Sequence, residues 1–117
     1  MGLPKVMISQ PMKDKTADEI LSQKKKALEF LEKNGYEVVN TYFSDEWNSN
    51  DLEDRGVVNI PLFFLAKSLE KMAECDAVYF CDGWQDTRGC KLEHAAATSY
   101  GLRCICYKNY LLYKKSF

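Results

Sequence analysis

The sequence predicts an α/β domain built on a mainly parallel sheet, and three observations carry that prediction. Short runs rich in β-branched and aromatic residues alternate with helical patterns, in the order β-α-β-loop-α-β-α-β. The helical patterns begin or end at residues that suit caps. Helical crossovers between successive strands make the strands parallel and place helices over the sheet faces.

The elements follow in order. Lys5-Val6-Met7-Ile8-Ser9 reads as the first strand. Thr16-Ala17-Asp18-Glu19 is a capping box, in which the Thr hydroxyl and the Glu carboxylate each satisfy a free backbone N–H. The helix it opens has Ile20, Leu21, Ala27, Leu28 and Leu31 as its expected apolar face and stops at Asn34-Gly35. Tyr36 to Asn40 is the second strand. Asn59-Ile60-Pro61 opens the next helix, with Pro where its missing N–H costs nothing. Leu62, Leu65, Ala66, Leu69 and Met72 are its expected buried stripe. Ala77 to Cys81 is the third strand, a helix runs from about Arg88 to Tyr100 and ends at Gly101, and Arg103 to Tyr107 is the fourth strand. This order gives one domain over residues 1–117, a flavodoxin-like or Rossmann-like three-layer sandwich with right-handed crossovers.

Between Thr41 and Gly56 the chain shows little helical or strand periodicity and carries Asp45, Glu46, Asp51, Glu53 and Asp54. Such a loop is either a mobile acidic surface segment or a flap. As a flap it would use Tyr42, Phe43 or Trp47 to cover a flat ligand.

Composition narrows the function classes. At 117 residues with 46% hydrophobic and 28% charged content, the chain suits one soluble globular domain. A net charge of −1 offers no general attraction for nucleic acid or membrane. The Lys24-Lys25-Lys26 run is bracketed by acidic residues and reads as a solvated helix face. No apolar stretch is long enough to cross a bilayer, and neither a signal-peptide pattern nor a myristoylation pattern stands at the start. Five cysteines without a C-x-x-C pair suit a reducing cytosol, so a cytoplasmic location is expected.

The chemistry-bearing residues gather where strands hand over to helices, the edge at which open α/β sheets bind ligands. The first strand ends in Ser9-Gln10-Pro11-Met12, and the third leads into Asp82-Gly83-Trp84-Gln85-Asp86-Thr87-Arg88-Gly89. Ser9, Gln10, Pro11, Met12, Asp82, Trp84 and Gly89 are the candidate ligand-contacting residues. Glu93 lies about one turn inside the following helix, whose positive end favours an ionised carboxylate able to act as a nucleophile. Asp86 either contacts the ligand and relays a proton or serves as the helix N-cap. Gly89 suits close backbone approach or a dihedral that other residues avoid. Cys90 and His94 share a helical face, and Cys90 could be a thiolate there, but no zinc-ligand spacing is present. The chain lacks G-x-G-x-x-G and Walker patterns, so no metal and no organic cofactor is expected.

At these residues the sequence resembles the nucleoside 2-deoxyribosyltransferase superfamily, most closely a small phage and bacterial domain of unknown function within it. The resemblance runs from Lys5 to Tyr107. It rests on Val6-Met7-Ile8-Ser9-Gln10-Pro11-Met12, on Cys75-Asp76-Ala77-Val78-Tyr79-Phe80, and on Gly89-Cys90-Lys91-Leu92-Glu93, which is similar to the family's Gly-x-x-x-Glu. Thr87 stands where that family usually carries an acidic residue or Ser, and His94 where it carries an apolar one. The resemblance implies that Glu93 attacks the anomeric carbon of a nucleoside or nucleotide. It implies base binding or protonation for Asp86, and a place on the pocket floor for Ser9 and Gln10. It also implies a homo-oligomer whose neighbouring chains complete the pocket, a contact that the aromatic tail with Tyr110, Tyr113 and Phe117 would suit. The expected function is binding of a nucleoside or nucleotide with cleavage or exchange of its N-glycosidic bond. The alternative is a module that sequesters or senses a nucleotide-derived signal without turnover.

Overall fold

The computed structural model describes residues 2–39 and 49–106. Tyr42, Phe43, Trp47 and the tail from Tyr107 to Phe117 lie outside the described residues, so the expectations placed on them are not addressed. The elements are β1 (Lys5–Ser9), α1 (Ala17–Lys33), β2 (Glu37–Val39), α2 (Ser49–Asp54), α3 (Ile60–Met72), β3 (Ala77–Phe80), a 3-10 turn (Trp84–Asp86), α4 (Arg88–Ser99) and β4 (Arg103–Cys106). They form an α/β three-layer sandwich around a four-stranded, wholly parallel sheet of order β2-β1-β3-β4.

Alternation along the strands assigns each side chain to a face. Val6, Ile8, Ala77 and Tyr79 pack against Ala27 and Leu31 of α1. Met7, Val78 and Phe80 pack on the other face with Met72 of α3 and Ala97 of α4. Ser9 follows Met7 by two residues and therefore stands on the α3/α4 face. The chain leaves β1 toward β2 through α1 and leaves β3 toward β4 through α4. The crevice between β1 and β3 is thus the point where the strand order reverses, outside the carboxyl ends of the strands.

Caps set the helix ends as the residue types require. The Thr16 hydroxyl accepts from the Glu19 N–H at 3.1 Å, and the Glu19 carboxylate accepts from the Thr16 N–H at 3.2 Å. Asn59 accepts from the Leu62 N–H at 3.1 Å. At the amino edge of the sheet the Asp76 carboxylate accepts from the Lys5 N–H at 2.8 Å, and the Asp76 N–H donates to the Lys5 carbonyl at 2.8 Å.

Three expectations need correction. Leu21 is 63% exposed: at about 100° per residue it lies some 120° round α1 from Ala27, beyond the stripe that faces the sheet. On α3 only Met72 is buried, while Leu62 is 58% exposed. Phe64, Leu65 and Ser68 are half-buried on the side that Met72 shares, whereas Leu62, Ala66 and Leu69 fall on the outer flank. A helix that is apolar round most of its circumference does not announce which side it buries. Finally, the stretch read as a loop contains α2, which spans six residues and buries Leu52. Fewer than two turns with one apolar anchor leave no period to detect.

All five cysteines are free thiols. Among the described residues no helix is long and apolar enough to cross a membrane.

Candidate functional site

Ser9, the last residue of β1, is 2% exposed, and its hydroxyl lacks a hydrogen-bond partner. It faces the first turns of α4. There it lies close enough to Cys90 and Glu93 to favour the ionised form of both, yet it closes no well-formed bond with either. A buried hydroxyl left in this state costs free energy.

Glu93 is half-buried, and desolvation of its carboxyl outweighs the help from Ser9, so its pKa is pushed up to about 7. This corrects the expectation of a carboxylate held ionised by the helix. Glu93 is the sixth residue of α4, whereas the favourable field of a helix terminus falls off within the first turn. Burial therefore decides its protonation. A carboxyl titrating near neutrality is suited to proton transfer, and to nucleophilic attack once ionised.

The same burial removes a thiolate at Cys90. Its thiol is raised by desolvation, which outweighs the opposing influence of Ser9 and Thr87, and the neighbouring Glu93 adds a smaller upward push. Cys81 is pushed up to about 12, chiefly by burial. Among the described residues no cluster of three or more His, Cys, Asp or Glu side chains could hold a metal ion.

An aromatic wall stands beside Glu93. The His94 ring stacks on Trp84 with centroids 4.3 Å apart and planes 23° from parallel. Phe80 meets His94 edge-on at 5.0 Å and Trp84 at 5.3 Å. Sequence reasoning placed Trp84 at the site but considered His94 only for the helical face it shares with Cys90. The stack depends on how the 3-10 turn folds back over α4, which no local spacing reveals.

The remaining candidates separate. Pro11 is buried, and a Cβ on Gly83 would lie 3.5 Å from its Cγ, so the ends of β1 and β3 are in contact. Gly83 has φ +89°, a left-handed conformation that favours glycine. Gln10 turns toward α1: its side-chain nitrogen donates to the Ile20 carbonyl at 2.6 Å and to Gln23 Oε1 at 3.2 Å. Both amide hydrogens are thereby engaged. Met12 is half-exposed, and Asp82, Asp86 and Gly89 are exposed.

Asp86 is not the N-cap of α4. That place belongs to Thr87, whose hydroxyl donates to the Trp84 carbonyl at 3.3 Å instead of capping the helix. Gly89 has no left-handed φ, and among the described residues no atom outside its own helix backbone and chain neighbours lies within 4 Å of a would-be Cβ.

Residues 4–106 match the family described as a domain of unknown function, DUF4406. The chain belongs to this family. The match spans every described strand and every described helix, and it takes in Ser9, Trp84 and Glu93. No curated protein and no solved structure matches the chain. The chemistry of this DUF4406 domain must therefore be argued from its own side chains.

Proposed function

We propose that the crevice between β1 and β3 binds a nucleoside or nucleotide and that Glu93 attacks the anomeric carbon of its sugar. The observation that carries this reading is the placement of Glu93: a desolvated carboxyl beside a buried hydroxyl, at the carboxyl edge of the sheet where the strand order reverses. The Trp84–His94 stack offers a flat apolar wall of the kind a base can lie against. The open space over Gly89, at the start of α4, leaves room for a ligand to approach the backbone.

In this reading the ionised Glu93 oxygen forms a bond to C1′ as the bond from C1′ to the base nitrogen breaks. The electron pair goes to the base, which takes a proton from water. Water or a second base then attacks C1′, losing a proton to solvent as the bond to Glu93 breaks and the carboxylate is released, giving hydrolysis or exchange respectively. The Ser9 hydroxyl lies close enough to the carboxylate to favour its ionised form. The residues fit this chemistry without a metal or an organic cofactor. A second copy completing the pocket, and a cytoplasmic setting, belong to the same proposal.

One observation favours the alternative reading. A carboxyl with a pKa of about 7 is largely neutral below that pH and can then donate a hydrogen bond to a base, as a sequestering or sensing module would require. The two readings are separated by incubating the protein with a panel of nucleosides and nucleotides and following free base by chromatography. Wild type should release base, and Glu93→Gln should lose that activity by orders of magnitude while still binding. Tight binding without base release from any compound would favour the sequestering module. Equal rates for wild type and Glu93→Gln would remove Glu93 as the nucleophile.

A further inference from the structure

Gln23 lies on α1, outside the residues assigned to the site, yet it touches both lips of the crevice. Its side-chain oxygen accepts from Gln10 Nε2 at 3.2 Å, and its side-chain nitrogen donates to the Asp82 carbonyl at 3.1 Å. The direction of this relay is fixed. A backbone carbonyl only accepts, so Gln23 must present nitrogen to Asp82, which leaves its oxygen for Gln10. Gln10 must then present nitrogen, and that nitrogen also binds the Ile20 carbonyl at 2.6 Å.

The segment held this way carries Trp84. The chain leaves β3, turns at Gly83 with φ +89°, and forms the 3-10 turn. Its own hydrogen bonds are local: Trp84 N–H to the Cys81 carbonyl at 3.1 Å, Asp86 N–H to the Gly83 carbonyl at 3.0 Å, and Thr87 N–H to the Trp84 carbonyl at 3.3 Å. Local bonds fix the shape of a turn, and the Trp84 stack on His94 holds it against α4 but not against α1. The Gln23 bond ties residues 82–87 to the layer on the opposite face.

We infer that Gln23 is a positioning residue of the site, setting where the turn holds Trp84 relative to the end of β1. Its consequence for a ligand rests on the nucleoside reading; its effect on the turn does not.

Two substitutions separate the halves of the relay. Gln23→Lys keeps a donor for the Asp82 carbonyl and loses the acceptor for Gln10. Gln23→Glu keeps the acceptor and loses the donor. Both residues are good helix formers at a half-buried position. Amide hydrogen exchange of the full chain, read by NMR without ligand, is the measurement. In Gln23→Glu the Trp84, Asp86 and Thr87 amides should exchange about fivefold faster, the effect of one net hydrogen bond on local opening, while the α1 amides and the melting temperature stay near wild type. In Gln23→Lys the turn amides should stay near wild type. Equal behaviour of the two variants, or unchanged turn amides in Gln23→Glu, would overturn the inference. Failure of wild type to bind any nucleoside would leave the exchange result decisive, so the two proposals fail separately.

Discussion

Changing Glu93 to Gln removes a charge that burial already disfavours, and the consequence for stability depends on pH. In the folded protein the carboxyl titrates at about 7, against an ordinary glutamate value of 4.5. Between these two values the folded state holds a proton that the unfolded chain has released. Stability therefore falls as pH rises across that interval and levels off above it. At about 1.4 kcal/mol for each tenfold change in protonation, the full cost above pH 7 is about 3 kcal/mol. Most of it, about 2–3 kcal/mol, develops between pH 5 and pH 8. Gln does not titrate, so it escapes this cost. Any fixed effect of the amide on packing is common to both pH values and cancels in the comparison.

The assay is urea unfolding of wild type and Glu93→Gln at pH 5 and at pH 8. The stability difference should move in favour of the variant by about 2–3 kcal/mol on going to pH 8. A stabilising role for the charge at the helix terminus would lower the pKa instead, and its contribution of about 0.3–1 kcal/mol would develop almost wholly below pH 5, leaving the two pH values nearly equal. A difference that stays the same at the two pH values would refute the reasoning, because it would mean that Glu93 completes its titration at an ordinary carboxylate pH.

If base release occurs and Glu93 reacts as the carboxylate, the rate should rise with pH through about 7 and then level off; a rate falling across that range would give the carboxyl the role of acid instead. Gly83→Ala should cost about 1–2 kcal/mol in denaturant unfolding, because φ is +89° while the nearest atom to the new Cβ, at 3.5 Å, is in ordinary contact. Gly83→Asn, which tolerates that backbone better, should recover part of the loss. Leu31→Ala, at a residue with no exposed surface in the α1-side core, should cost about 2–5 kcal/mol by the same measurement.

Most of the sheet was legible because its signals are local and redundant. Lys5 to Ser9, the Thr16–Glu19 box, Asn59-Ile60-Pro61 and the Gly101 stop each combine composition with a cap or an end residue, and their elements lie where that chemistry puts them. The layering also follows from alternation: Met7 and Ser9 share one face, Val6 and Ile8 the other. What could not be read depended on competition between elements. Leu62 and Leu65 are equally good helix-face residues, and only the sheet beneath α3 selects between their sides. Asp86 and Thr87 are both good caps; the 3-10 turn ends at Asp86 and leaves Thr87 at the helix start. The placement of Glu93 in α4 was legible from sequence, but its protonation was not, because desolvation depends on what surrounds the carboxyl after folding. Gln23 was invisible for a related reason, since its two partners are 13 and 59 residues away along the chain.

Two unfavourable features sit next to each other at the end of β1. The Ser9 hydroxyl is the one buried side-chain polar atom, among the described residues, that lacks a partner, and Glu93 beside it is a carboxyl whose charge burial opposes. A chain selected only for stability removes such costs easily. Ala in place of Ser9 would leave no orphaned hydroxyl, and Gln or Leu in place of Glu93 would remove the titration. Elsewhere the polar groups are satisfied in the usual ways: Asp76 accepts from the Lys5 N–H, Thr16 and Glu19 cap α1, and Gln10 binds Ile20 and Gln23. Local disagreement with stability, confined to adjacent side chains at a ligand-binding edge of the fold, is where a functional requirement is expected to show. A ligand hydroxyl or a sugar oxygen entering this crevice would meet both groups at once, giving Ser9 its missing partner and Glu93 a polar neighbour in place of the lost water. The same reasoning favours a ligand that brings a hydroxyl or another polar group over an apolar one, since an apolar group would leave both costs in place.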